Sequence, residues 1–465
     1  MRKILGFLFL VACVGTARAQ MHASVDPRFE LTSIAFRLAG ASEYAQCGVP
    51  AYARDIDDHF LQYAEHPLIS FIQQIRRDYG IGYNAVSGTA DWLRIDDGKV
   101  TLDPVYDAAE VAKADPRWTA PVFRRYLRLL DDFYRVSDFQ RFFDAHSELY
   151  AYAEGQLDSL LVQVDTGWFE RFYGSPFGDP DIFIGMCNGP SNYALTAESR
   201  HSGYGIVVGC GSDQEGQPAY APLFLSIVLH EFAHTYSNPL AEAYWPQMEE
   251  AGKQIFPHVA QQMARAAYGD PRTMTGEWFN ELCVLMAYRE MQPQWLAYLT
   301  AGDEQRGYVW MGRAVAFMDA FYADRERYPH IGDFMPRIVE FYKETAADIQ
   351  PIMEEIRQRT PHVVEVTPAV GSIVSADALP SEVTVRFSEP MQGGYGANSI
   401  DRPGVVDFPI QDTCYWRDEY TLVYPLNTDE LARGETYGLM LLGWAFKSAN
   451  GYPMEGYYDL TFTVK

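Results

Sequence analysis

His230, Glu231 and His234 are the residues of this chain best suited to act together chemically. They form a His-Glu-x-x-His pentapeptide within Pro222-Leu-Phe-Leu-Ser-Ile-Val-Leu-His230-Glu231-Phe-Ala-His234-Thr-Tyr-Ser-Asn238-Pro239, where the apolar run predicts a largely buried helix. Residues four apart on a helix sit one turn above each other, so the two imidazoles face the same way. At that spacing they can grip one zinc ion, and Glu231 is placed to take a proton from water. Pro222 suits a first helical turn, and Asn238-Pro239 predicts the stop.

Two histidines need a third protein ligand, with the fourth position left for water. The same helix does not supply it, because position 240 is leucine rather than histidine. The segment Gly276-Glu277-Trp-Phe-Asn280-Glu281-Leu-Cys-Val-Leu-Met-Ala-Tyr-Arg289 reads as an amphipathic helix offering a carboxylate. Glu281 is the preferred ligand, since it lies deeper in the helix on an otherwise apolar face, where a carboxylate needs a partner or a metal. Glu277, one turn earlier on the same side, is its rival. With zinc bound, a carbonyl is polarised and water is acidified, and Glu231 serves as general base. The developing oxyanion needs a donor, for which Tyr193, His201, Tyr236 and Arg289 are candidates. Asn238 and Glu242 are candidate partners for the ligand imidazoles.

The elements around this centre change character along the chain. Met1-Arg-Lys3, an apolar run from Ile4 to Val14 and Ala17-Arg-Ala19 predict a secretory signal peptide over residues 1–19. The alternative is a lipoprotein cleavage box ending at Cys13, which would leave a lipid anchor. No later stretch reads as transmembrane, so the expectation is an exported protein, periplasmic or extracellular. Phe123, Tyr126, Leu127, Leu130, Phe133 and Tyr134 make a helical core stripe, and His59, His66 and His146 read as structural or exposed. Asp181–Cys187 and Gly203–Gly209 are strand candidates just ahead of the motif helix; an open sheet edge there can hold an extended peptide. Helices resume to about Arg359.

From Pro361 the text alternates. Val363–Val366, Glu382–Phe387, Tyr420–Tyr424, Thr436–Leu442 and Tyr458–Val464 predict strands of a β-sandwich. The expected architecture is multidomain α+β: a mainly helical catalytic domain with a small sheet over residues 20–360, then a sandwich over 361–465. Beyond residue 19 five cysteines remain, Cys47, Cys187, Cys210, Cys283 and Cys414. They read as buried free thiols, with Cys187–Cys210 as the one conceivable bridge. The charge of −25 becomes −28 once Arg2, Lys3 and Arg18 are removed, which disfavours nucleic acid and anionic membranes as partners.

His230-Glu231-x-x-His234 followed by Asn280-Glu281 resembles the gluzincin class of zinc metallopeptidases. The longer string to Asn238-Pro239, with Asp26-Pro-Arg-Phe-Glu30 and Glu277-Trp-x-Asn-Glu281, resembles a group of secreted bacterial proteins catalogued as a domain of unknown function. That resemblance spans roughly residues 25–350 and implies His230, His234 and Glu281 as zinc ligands, Glu231 as base and a peptide or protein as substrate. The 46 residues between His234 and Glu281 (235 to 280) exceed the commonest thermolysin-like interval. Thr367-Pro-Ala-Val-Gly371 and Val385-Arg-Phe-Ser-Glu-Pro-Met391 resemble bacterial Ig-like domains, implying a module that binds another protein or a cell-surface component. Two other functions fit the same residues: an inactive zincin-type scaffold, and a zinc hydrolase of a non-peptide amide or ester.

Overall fold

The computed structural model describes residues 21–465 apart from 179, 196–202, 267, 401 and 455, so the expected signal peptide with Cys13, and His201, lie outside the described residues. About half of the chain is helical, with helices dominating the first three quarters and antiparallel sheets the last. Contacts divide it into two units: the described residues up to Thr166 with Pro176–Phe232, and Gly167–Ser175 with Ala233–Lys465. No helix among the described residues is long and apolar enough to cross a membrane.

The first unit holds a four-stranded sheet of β1 (Ala23–Ser24), β2 (Asp181–Gly185), β3 (Tyr193–Leu195) and β4 (Gly205–Gly209), in the order β1-β2-β4-β3. β2 and β4 run parallel, so they are not a hairpin; the short β3 between them in sequence turns back antiparallel and forms the edge. Glycine is required at 209, where a Cβ would come within 1.9 Å of the Gly189 carbonyl. The aromatic stripe is buried as its spacing predicts, with Phe123, Tyr126, Leu130, Phe133 and Tyr134 in the core. The lone histidines are structural: His59 donates to the Ser137 carbonyl at 2.7 Å, His66 caps Leu68 N at 3.2 Å, and His146 meets the Phe142 carbonyl at 2.8 Å. Glu30 is fully buried, accepting from the Tyr52 hydroxyl and the Met186 N–H, both at 2.7 Å. Burial outweighs these neutral donors and pushes its carboxyl up to about 7. Cys47, Cys187, Cys210, Cys283 and Cys414 are all free thiols, so the Cys187–Cys210 bridge does not form.

The helix carrying the motif runs from Phe224 to Arg265, so Asn238-Pro239 does not end it. Pro239, Pro246 and Pro257 all lie inside. An interior proline costs about 3 kcal/mol or more, but Ala241, Met248, Ala251, Ile255, Val259 and Met263 bury one continuous stripe beyond it, and that packing carries the helix on. A straight helix of 42 residues would be about 63 Å long, with Ser237 and Gly252 about 22 Å apart. Yet Ser237 bonds Asn280 at 2.5 Å, and a Cβ at Gly252 would stand 3.0 Å from the Thr275 hydroxyl. Thr275 and Asn280 are only about 7.5 Å apart along their own helix. The motif helix therefore bends over the stretch containing Pro239 and Pro246.

In the second unit, Val363–Thr367, Glu382–Phe387, Thr421–Pro425 and Tyr415–Asp418 form one antiparallel sheet. Ser372–Val374, Tyr457–Val464, Thr436–Leu442 and Ala397–Asn398 form a second, with Val405–Asp407 alongside. Val385, Phe387 and Leu422 of the first sheet share a core with Leu441, Leu460 and Phe462 of the second. This segment is tied to the helix Leu296–Arg306 by the buried Tyr452 hydroxyl, which donates to Glu304.

Candidate metal centre

His230 and His234 are held one turn apart by the motif helix itself. Their ring nitrogens and a carboxylate oxygen of Glu277 all lie within 4.8 Å of one another, all three residues being half-buried. Glu277 comes from the helix Pro271–Met291, whose start is set by Asp270, accepting from Arg272 N at 2.9 Å and Thr273 N at 3.0 Å. The register of that helix against the motif helix is fixed by two buried polar residues. Ser237 Oγ donates to Asn280 Oδ1 at 2.5 Å, with both side chains out of solvent. One step of three residues back on each helix leads from Ser237 to His234 and from Asn280 to Glu277. There His234 Nε2 stands 3.8 Å from Glu277 Oε2.

The donor set fits a metal ion. Tetrahedral zinc with bonds of about 2.0–2.1 Å needs ligand atoms about 3.4 Å apart, a small adjustment from these positions. His234 Nδ1 meets Asn238 Oδ1 at 3.1 Å. An amide oxygen there suits the Nδ1–H tautomer, the form in which Nε2, the nitrogen facing Glu277, can ligate a metal. Asn238 thus takes the expected supporting place, whereas Glu242 is turned to Arg272, Nε–Oε1 3.0 Å. Glu231 is 8 % exposed and, one residue on from His230, is turned off the ligand face of the helix.

Glu281, the preferred third ligand from sequence, lies one turn on and is bound elsewhere: Arg306 donates to its Oε1 at 2.8 Å and also pairs with Asp303. Glu281 is the deeper of the two, as expected, but it faces a guanidinium, whereas the half-buried Glu277 faces the motif histidines. Of the oxyanion candidates, Tyr193 sits on β3 within electrostatic reach of Glu231; burial first, then the Glu43 and Glu231 carboxylates, push its phenol up to about 12. Tyr236 stacks on Tyr173, centroids 4.9 Å apart, and Arg289 is paired with Asp319 at 2.7 Å and covers the Tyr322 ring. Sequence reasoning missed Arg306, the partner of Glu281. A signal was present for the register, since Asn280 is a polar residue in an apolar helix and so needs a partner across the contact. Nothing local in the sequence points to Arg306, 25 residues beyond Glu281.

A family model described as "Domain of unknown function (DUF4932)" matches residues 223–341. The match covers the motif helix, the helix with Glu277 and Glu281, and Arg306. It is narrower than the 25–350 expected from the sequence, leaving out both the N-terminal sheet and the C-terminal sheets. No curated protein and no solved structure matches the chain.

Proposed function

We propose that this chain is an exported zinc-dependent peptidase of gluzincin type, in which a zincin-like catalytic domain over residues 20–360 is followed by an Ig-like module that binds another protein or a cell-surface component. One observation carries the reading: two imidazoles and a carboxylate converge within 4.8 Å while the glutamate between the histidines stays buried off the ligand face. His230, His234 and Glu277 would hold the ion, Glu277 taking the place that Glu281 was expected to fill. Bound zinc supplies Lewis acidity toward a carbonyl and lowers the pKa of water. Glu231 accepts the proton from the attacking water and delivers it to the leaving nitrogen, so that the base is regenerated as the bond breaks. Tyr193, on the sheet of the unit that also holds Glu231, is the candidate donor for the oxyanion. What favours a peptide over another amide is the sheet edge formed by β3 in the unit that also holds Glu231, since an edge strand can pair with an extended chain.

The test is Glu231→Gln. Zinc content should stay near that of the unaltered protein, while turnover of a broad peptide library falls by about 10²–10⁴-fold. Hydrolysis at the unaltered rate would remove Glu231 from the mechanism, and a preparation that binds zinc yet cleaves no peptide would point to an ester or a non-peptide amide.

A further inference from the structure

We propose that the turn 447–452 of the C-terminal segment is a positioning element for the metal centre: it grips the last turn of the helix Leu296–Arg306 and so holds Arg306 against the helix that carries Glu277. This rests on the reading of His230, His234 and Glu277 as a metal site. The helix Leu296–Arg306 serves two neighbours from two sides. Asp303 and Arg306, three residues apart, share one side, and there Arg306 Nη2 donates to Glu281 Oε1 at 2.8 Å and pairs with Asp303. Tyr298, Ala301 and Gln305 recur at i, i+3 and i+7 and share another side, about 150° around the helix axis.

That second side is where the turn docks. Lys447 Nζ donates to the Tyr298 hydroxyl at 3.3 Å and lies 5.2 Å from the centre of its ring. Gly451, at φ +89°, lies over Ala301, where a Cβ would stand 4.0 Å from the Ala301 Cβ, and its carbonyl accepts from Gln305 Nε2 at 2.9 Å. Between the two sides Glu304, 4 % exposed, accepts from the Gly312 N–H at 3.0 Å and from the Tyr452 hydroxyl. The turn arrives already shaped. Ser448 N donates to the Tyr452 carbonyl and Gly451 N to the Ser448 carbonyl, both at 2.8 Å, and Ser448 Oγ accepts from Tyr452 N at 3.2 Å. It is rooted in its own sheets. Gln392 N donates to the Lys447 carbonyl at 2.8 Å, and Phe446 and Met454, on either side of the turn, lie in the core those sheets share. A module on a free tether needs none of this. Here a buried carboxylate of the helix is completed by a phenol of the turn, and a buried carboxylate left short of a donor is costly. The contacts run in unbroken steps: the turn to Glu304 and Gln305, the next residue Arg306 to Glu281, and Glu277 one turn from Glu281, 3.8 Å from His234.

The experiment uses the full chain and reads Zn²⁺ affinity by competition with a chromophoric chelator, with metal-free stability measured by melting in excess EDTA. Tyr452→Phe, which deletes one oxygen and keeps the ring, combined with Gln305→Ala should weaken Zn²⁺ binding about 2–30-fold, and Tyr452→Phe alone should weaken it less in the same direction. Arg417→Ala, which breaks an exposed pair with Glu382 within the sheets, should stay within about twofold of the unaltered affinity. Because the route runs through Arg306, the same double change made in Arg306→Met should cost no further affinity, a result that general loosening of the fold would not give. Zn²⁺ affinity unmoved by Tyr452→Phe with Gln305→Ala, while Glu277→Ala loses it, would overturn the proposal and leave the metal site standing. An equal loss with and without Arg306 would overturn it too, since the effect would then bypass the clamp. An unaltered protein that binds no Zn²⁺ would instead fail the underlying reading, and the proposal with it.

Discussion

Two successive turns of the helix Pro271–Met291 carry the same residue type to different ends. Glu277 stands 3.8 Å from a motif histidine, and Glu281 is clamped by Arg306 at 2.8 Å. Both carboxylates leave much of the solvent behind, and each has met the need for a partner. A guanidinium fills carboxylate lone pairs with fixed donors and balances the charge within the protein. Two imidazoles and a carboxylate within 4.8 Å of one another offer donor atoms that one cation could share. On the proposed reading, the residue facing each carboxylate, rather than its depth in the helix, decides which one ligates. Glu30, in the other unit, is a third solution: full burial with only neutral donors around it.

That contrast can be broken at each carboxylate. The largest effect is expected at Glu30. Its folded-state pKa of about 7 lies above its ordinary 4.5, so the stability it contributes is complete below about 4.5 and is lost as pH rises through about 7. The loss over that window is on the order of 3 kcal/mol. Urea midpoints of the unaltered protein should fall between pH 5 and 8, and Glu30→Gln should flatten the profile. A slope that survives Glu30→Gln would show that another group controls it.

Next is the clamp on Glu281. Arg306→Met leaves a carboxylate that is 8 % exposed without its cation. The expected destabilisation is about 2–3 kcal/mol, below the usual range for a broken buried pair because the guanidinium is half-exposed. Adding Glu281→Gln should restore part of it, a coupling that a double-mutant cycle by chemical denaturation measures; strictly additive effects would deny the pairing. The smallest effect is expected for Asn280→Ala, which strands the buried Ser237 hydroxyl and should cost about 1–2 kcal/mol, with weaker zinc binding as the register loosens. Unchanged zinc affinity in a destabilised Asn280→Ala would separate the helix contact from the site.

Much of this was legible in the sequence, and the gaps have physical causes. The i, i+4 histidines depend only on local helix geometry, so their convergence could be read without a fold. The five longer C-terminal strands were legible because alternation over five or more residues marks a half-buried face; Ala397–Asn398 and Val405–Asp407 are too short to carry that signal. Pro239 misled because an intrinsic penalty of about 3 kcal/mol is smaller than the gain from the buried stripe that follows it. Which of Glu277 and Glu281 faces the motif histidines was beyond any local rule, since it turns on Arg306 arriving from the next helix and on the Ser237–Asn280 contact setting the register.

The central claim is that Glu277, and not Glu281, completes the site with His230 and His234. Full-length Glu277→Ala and Glu281→Ala should be titrated with Zn²⁺ against a chromophoric chelator beside the unaltered protein. The account predicts that Glu277→Ala loses more than about 100-fold in affinity, while Glu281→Ala, acting only from the outer shell, loses at most about 10–100-fold. The reverse ranking would move the ligand one turn along the helix to Glu281, and unaltered affinity in both would remove this helix from the metal site.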